Sequence, residues 1–183
     1  MRVDAKALAQ YPWYLRPFFW NQQRKYGQVL QPALLWGRSP PIFMAVALLY
    51  GALDRRGSPL SPVLRSLVTV RVSQINWCRF CVDLNSVTLA KRSGSMRKVE
   101  QVEHWRESDA FTEAEQAALE FAEAVTITDR HVSDELMARL KRHFDDDAIV
   151  ELTGLIAFQN LSSKFNAALD VPSQGFCRVP DRA

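Results

Sequence analysis

Along most of the chain apolar residues recur at helical spacing, and short breaks of Ser, Gly and Pro separate the runs. Leu60, Leu64, Leu67, Val68, Val72 and Ile75 fall on one such stripe. Inside that window Val68 to Ser73 alternates like a strand and is rich in β-branched residues, yet the longer pattern outweighs it and predicts a helix. A second helix runs from Cys78 to about Arg92, where Ser93-Gly94-Ser95 breaks it. Thr112 with Glu115 is a capping box before a helix carrying Ala118, Leu119, Ala122 and Val125, and Ser133 caps another through Leu140. The last helix starts at the acidic run Asp145-Asp146-Asp147 and extends to Leu169. Its first half is apolar on most sides. It should therefore occupy the centre of the domain or of a subunit interface, with Gln159, Asn160 and Asn166 needing partners if buried.

Upstream, Ser39 is placed to cap a helix whose first turn holds Pro40 and Pro41, and Gly51 and Gly57 bracket its end. The first forty residues, with Trp13, Tyr14, Phe18, Phe19, Trp20, Tyr26 and Trp36, show little regularity and suit a segment laid over a core or a partner subunit. No convincing strand pair emerges. The expectation is an all-α protein: an aromatic-rich extension over residues 1–38, one helical domain over 39–170, and a looped tail over 171–183.

Composition adds exclusions. A chain of 183 residues, 48% hydrophobic and 23% charged, folds as one domain. The net charge of +3 is spread rather than striped, which argues against nucleic acid as a partner, and pairs such as Arg55-Arg56, Lys91-Arg92 and Arg97-Lys98 read as solvated surface. The start of the chain lacks a secretory pattern, and the longest apolar stretch, Pro41 to Leu53, falls short of the roughly 20 residues that cross a bilayer. No membrane partner is expected. Three cysteines, an odd and small number, fit a reducing, cytoplasmic address, where a close pair is more often catalytic or metal-binding than structural.

That pair lies in INWCRFCVDLN, residues 75–85. Positions three apart share a helix face, so Cys78 and Cys81 can approach, a geometry that permits a disulfide. With Asn76 as the cap, Cys78 sits in a first turn whose free N–H groups favour a thiolate, and Arg79 adds positive charge. A zinc site would need further ligands, and only Cys177 and the scattered His104, His131 and His143 remain, so no metal is expected. Two buried thiols without chemistry are the plain alternative, since free cysteine is commonly buried. Cys177, in GFCRVP, reads as a bystander.

The surrounding LRSLVTVRVSQINWCRFCVDLNSVTLAK resembles the carboxymuconolactone decarboxylase and AhpD-like alkylhydroperoxidase superfamily, with Arg65, Leu67, Val68, Arg71, Val72, Cys78, Cys81 and Asp83 matching its pattern. The similarity extends through FTEAEQAALEFAEAVT, VSDELMARLKRHF and the final helix, covering roughly residues 40 to 170. It implies an AhpD-like helical bundle that oligomerises as a dimer, trimer or hexamer. It also implies a thiol-dependent peroxidase or disulfide oxidoreductase without a cofactor, acting on a hydroperoxide or small disulfide. Cys81 would be the peroxidatic cysteine, Cys78 the resolving one, and a thiol reductant the partner. The family's glutamate and histidine of the proton relay fall on Ser66 and Asn85, and Phe80 stands between the cysteines where some members have another histidine. Ser and Asn orient ligands but do not exchange protons near neutrality. Asp83 is a substitute base only on paper, because it points to another side of the helix. Two other functions follow from the same resemblance: a degenerate binding or assembly protein, favoured by the lost relay, and a lactone decarboxylase-like enzyme, which has no visible histidine set here.

Overall fold

The computed structural model describes residues 1–177. Those residues form α-helices and short 3-10 turns, with no strand among them. The order is α1 (Arg16–Tyr26), α2 (Gln31–Trp36), α3 (Pro40–Leu53), α4 (Pro62–Ile75), α5 (Arg79–Ser93), α6 (Met96–Gln101), α7 (Glu113–Thr126), α8 (Asp134–Leu140) and α9 (Asp146–Ala168). Val171–Cys177 is loop, as expected; the rest of the tail, 178–183, lies outside the described residues.

The centre belongs to α4 rather than to the last helix. α5, α7 and α9 all pack on α4, and Leu67, Val68, Val70 and Val72 have no exposure at all. A helix surrounded on several sides can bury apolar residues at every spacing, so the strand-like alternation of Val68 to Ser73 carried no strand. On one side α4 joins Phe121, Leu140, Leu152 and Ile156; on the other it joins Leu89, Val102, Trp105 and Leu119. α9 buries one long face while Val150 and Leu161 remain exposed.

Caps start most of these helices where the residue types place them. Ser61, Ser133 and Asp145 each accept the N–H three residues on, and Thr112 with Glu115 closes the full capping box. Ser39 differs: it sits at the N-cap but its side chain makes no cap hydrogen bond, and Pro41 removes one of the two N–H groups that a cap can meet.

The first forty residues are more regular than their composition implies. Pro17 and Pro32 start α1 and α2 instead of breaking the chain, since proline suits the first turn of a helix. Tyr11, Leu15, Phe19, Ala33 and Phe43 form a separate small core, with the Tyr11 hydroxyl donating to the Leu34 carbonyl at 2.9 Å. Gly37 permits this packing; a Cβ there would lie 3.1 Å from the Tyr11 ring and 3.0 Å from the Ala33 oxygen. Trp36 stacks on Phe165 of α9 at a 3.5 Å centroid distance, which fixes the N-terminal helices against the domain.

Candidate active site

The turn from α4 to α5 delivers both cysteines. Asn76 ends α4 and donates to Asn160 at 2.8 Å, so it does not cap α5; Cys78 is itself the cap, its Sγ accepting the Cys81 N–H at 3.1 Å. Between them Trp77 holds φ of 54°, a left-handed conformation uncommon for a bulky residue, and its ring is almost wholly in solvent. Cys78 and Cys81 are joined as a disulfide with their Cα atoms 5.2 Å apart. Arg79 turns outward to Asp170 at 2.8 Å.

Both sulfur residues are buried, Cys78 to 1% and Cys81 to 4% exposure, but they are not equivalent. Cys81 borders a cavity of about 390 Å³, whose lining does not include Cys78. The cavity walls come from far apart in the chain: Phe18 and Trp36 from the N-terminal helices, Phe43 from α3, Phe80 from α5 and Phe158 from α9. The N-terminal segment is thus a wall of the site through Phe18, Tyr26 and Trp36, while Trp13, Tyr14 and Trp20 remain exposed.

Asn166 of α9 is the side chain hydrogen-bonded to the Cys81 sulfur. Its Nδ2 donates at 3.2 Å, while its Oδ1 is buried without a partner among the described residues. Beside it runs a polar seam: Ser73 Oγ accepts from Asn85 Nδ2 at 3.1 Å and from Gln159 Nε2 at 3.0 Å, and Gln159 also donates to Ser163. Asn85 therefore faces the cavity but is spent on Ser73. Ser66 also lines the cavity, near its other end, where its hydroxyl accepts from Arg92 Nη1 at 3.1 Å. Neither residue hydrogen-bonds Cys81, contrary to the contact that their relay positions left open.

Arg92 is not the solvated charge its sequence neighbour Lys91 suggests. Its guanidinium grips Asp54 through both carboxylate oxygens at 2.8 and 2.9 Å, and Arg65 lies alongside with its Nη2 3.6 Å from the same carboxylate. His104, His131 and His143 are all exposed and outside the cavity lining. Among the described residues no group of three or more Cys, His, Asp or Glu gathers as a metal site.

Asp83 has a structural task. It accepts from Ser173 Oγ at 2.8 Å and from the backbone N–H groups of Gln174 and Cys177 at 2.9 and 2.7 Å, pinning the C-terminal segment to α5. Burial alone would raise its pKa, but these donors outweigh that and hold it below the ordinary value. Burial, and then the Asp83 charge, push the Cys177 thiol up, which keeps it protonated at neutral pH.

An all-helical domain that seats a CxxC pair at a helix start beside an apolar cavity defines a thiol protein of the AhpD-like fold. The chain belongs to the carboxymuconolactone decarboxylase family, whose profile matches residues 40–124. The uncharacterized protein YnjA of Escherichia coli K12 is 49% identical over 175 residues, 96% of each chain. Among solved structures, an alkylhydroperoxidase AhpD core, peroxidase-related protein from Ralstonia eutropha superposes with a TM-score of 0.87 at 24% identity, covering 96% of this chain and 93% of that one. The debrominase Bmp8 superposes at 0.82 and 24% identity, covering 94% and 91%. No helix among the described residues is long and apolar enough to cross a membrane.

Proposed function

We propose that the chain is a thiol-dependent peroxidase in which Cys81 attacks the substrate and Cys78 resolves the product. One observation carries this reading: Cys81 lines the apolar cavity and Cys78 does not, although both belong to one buried cluster with Leu35, Phe80 and Val171. The fold alone does not choose the reaction, since it also carries a debrominase.

In the reduced protein the Cys81 thiolate attacks the outer oxygen of a hydroperoxide. The O–O bond breaks, the sulfur becomes a sulfenic acid, and the leaving alkoxide takes a proton from water and departs as the alcohol. Cys78, as thiolate, then displaces hydroxide from the Cys81 sulfur and the disulfide closes. A dithiol reductant reopens it by two exchanges and becomes the disulfide itself. The Asn166 amide favours negative charge on Cys81, while the first-turn N–H of α5 points at the Cys78 sulfur and favours the resolving thiolate. With Ser66 and Asn85 in place of a relay, no positioned acid serves the leaving oxygen, which lowers turnover by about 10²–10⁴-fold relative to a relay-bearing site.

A reducing, cytoplasmic setting suits this cycle, and exposed Ile42, Leu48, Leu49 and Val150 support a homo-oligomer. The test is hydroperoxide consumption by reduced protein with a dithiol donor. Cys81→Ser abolishes it, and Cys78→Ser stops after one equivalent with a trappable sulfenic acid. Full activity in Cys81→Ser overturns the proposal; an inactive wild type with an ordinary Cys81 pKa supports the degenerate binding protein instead.

A further inference from the structure

We infer that the cavity takes a long-chain carboxylate, its head held at Arg65 and its apolar chain directed toward Cys81. The shape comes first. Cys81, Leu84, Asn85, Thr88 and Arg92 all line the cavity and recur three or four apart on α5, so they form one stripe. Eleven residues separate Cys81 from Arg92, about 16 Å of helix rise. On α9 the lining runs from Leu155 to Asn166, and the Asn166 bond to Cys81 sets the two stripes side by side. The cavity is a slot with sulfur at one end and ions at the other.

The ionic end carries surplus positive charge. Arg92 spends both terminal nitrogens on Asp54, Ser66 and the Pro62 carbonyl. Arg65 is not: it is 5% exposed, its Nη1 donates to the Arg55 carbonyl, its Nη2 lies beyond hydrogen-bond reach of Asp54, and its Nε has no partner among the described residues. Two guanidiniums thus share one carboxylate, and Lys25 adds a further cation at the exposed rim of the same lining. A buried, half-paired guanidinium is costly unless an anion completes it, and a carboxylate is the anion whose two oxygens match a guanidinium edge. Between the two ends the walls are mainly aromatic and aliphatic, which suits a hydrocarbon chain rather than a polar one.

As a statement about substrate this rests on the peroxidase reading above: the preferred hydroperoxide is a fatty acid oxidised in the distal half of its chain. As a statement about binding it does not. The experiment therefore starts with oxidised full-length protein, titrated with dodecanoate, its methyl ester and dodecyl phosphate by calorimetry. Dodecanoate binds, the ester binds about ten- to a hundred-fold more weakly, and Arg65→Met removes the difference between acid and ester. Equal affinity of wild type for acid and ester, no binding of either, or tighter binding of the phosphate overturns the inference without recourse to any variant. Cumene hydroperoxide turnover, measured in parallel, reports on the peroxidase reading alone. Turnover without dodecanoate binding sinks only the inference; binding without any hydroperoxide turnover sinks only the reading and the substrate clause that depends on it.

Discussion

Asn166 Nδ2 lies 3.2 Å from Cys81 Sγ, across a distance of 85 residues in the chain. A neutral donor at that distance stabilises sulfur more as thiolate than as thiol, so it lowers the pKa without taking part in proton transfer. Replacing Asn166 with Leu removes the donor that favours the Cys81 thiolate and slows alkylation near neutrality several-fold. Alkylation rate against pH in the reduced protein reads this directly, and a general loss of packing does not move that midpoint in a fixed direction.

Asn85 lines the cavity on the same α5 stripe as Cys81, with only the Ser73 bond to lose. Asn85→His restores an acid–base group at the family's position. Hydroperoxide turnover rises by about tenfold or more, and its pH profile gains a limb near pH 6.5, activity increasing as the imidazole loses its proton and serves as base. The wild-type profile lacks that limb.

Glu123 is the ionic hub on the far side of α4, 1% exposed and bonded to Arg71, Arg106 and Arg130 at 2.8 Å and to the Trp105 indole at 3.0 Å. Burial alone would raise its pKa, but Arg106, Trp105 and Arg71 hold it down to about 2. The folded value lies below the unfolded one, so the stabilisation is complete above about pH 4.5 and drains away as the pH falls toward 2. Glu123→Gln costs about 3 kcal/mol at pH 7, measured by urea unfolding, because it leaves the guanidiniums facing a neutral amide. The gap between wild type and variant closes as the pH falls through that window.

Asp83→Asn unpins the Ser173–Cys177 segment and removes the charge that helps to keep Cys177 protonated. Cys177 alkylation at neutral pH quickens several-fold while the Cys78–Cys81 disulfide still forms. Unchanged Cys177 reactivity speaks against the clamp.

The helices were legible because their signals are local: the Thr112 and Ser133 caps and the acidic run from Asp145 are read from three or four adjacent residues. The CxxC turn was legible for the same reason, apart from which residue caps it; Asn76 has the better side chain for the role, but the turn puts Cys78 there. The cavity was hidden because no local pattern joins Phe18, Phe43 and Phe158. Asn166 left a partial trace. Gln159, Asn160 and Asn166 stand out as polar residues that need partners on a helix with a long buried face, though nothing in the sequence says that one partner is sulfur. Arg65 matched a family position, but no local pattern shows that its Nε is buried without a partner.

The Gln31 N–H donates to Gln174 Oε1 at 2.9 Å, and Gln174 Nε2 donates to Gln28 Oε1 at 2.9 Å. A ribosome exposes residue 31 long before Phe165, the stacking partner of Trp36, and Gln174 exist. The aromatic wall over Cys81 stays unmoored during that interval, and the shelter around the sulfur is among the last parts of the molecule to be finished.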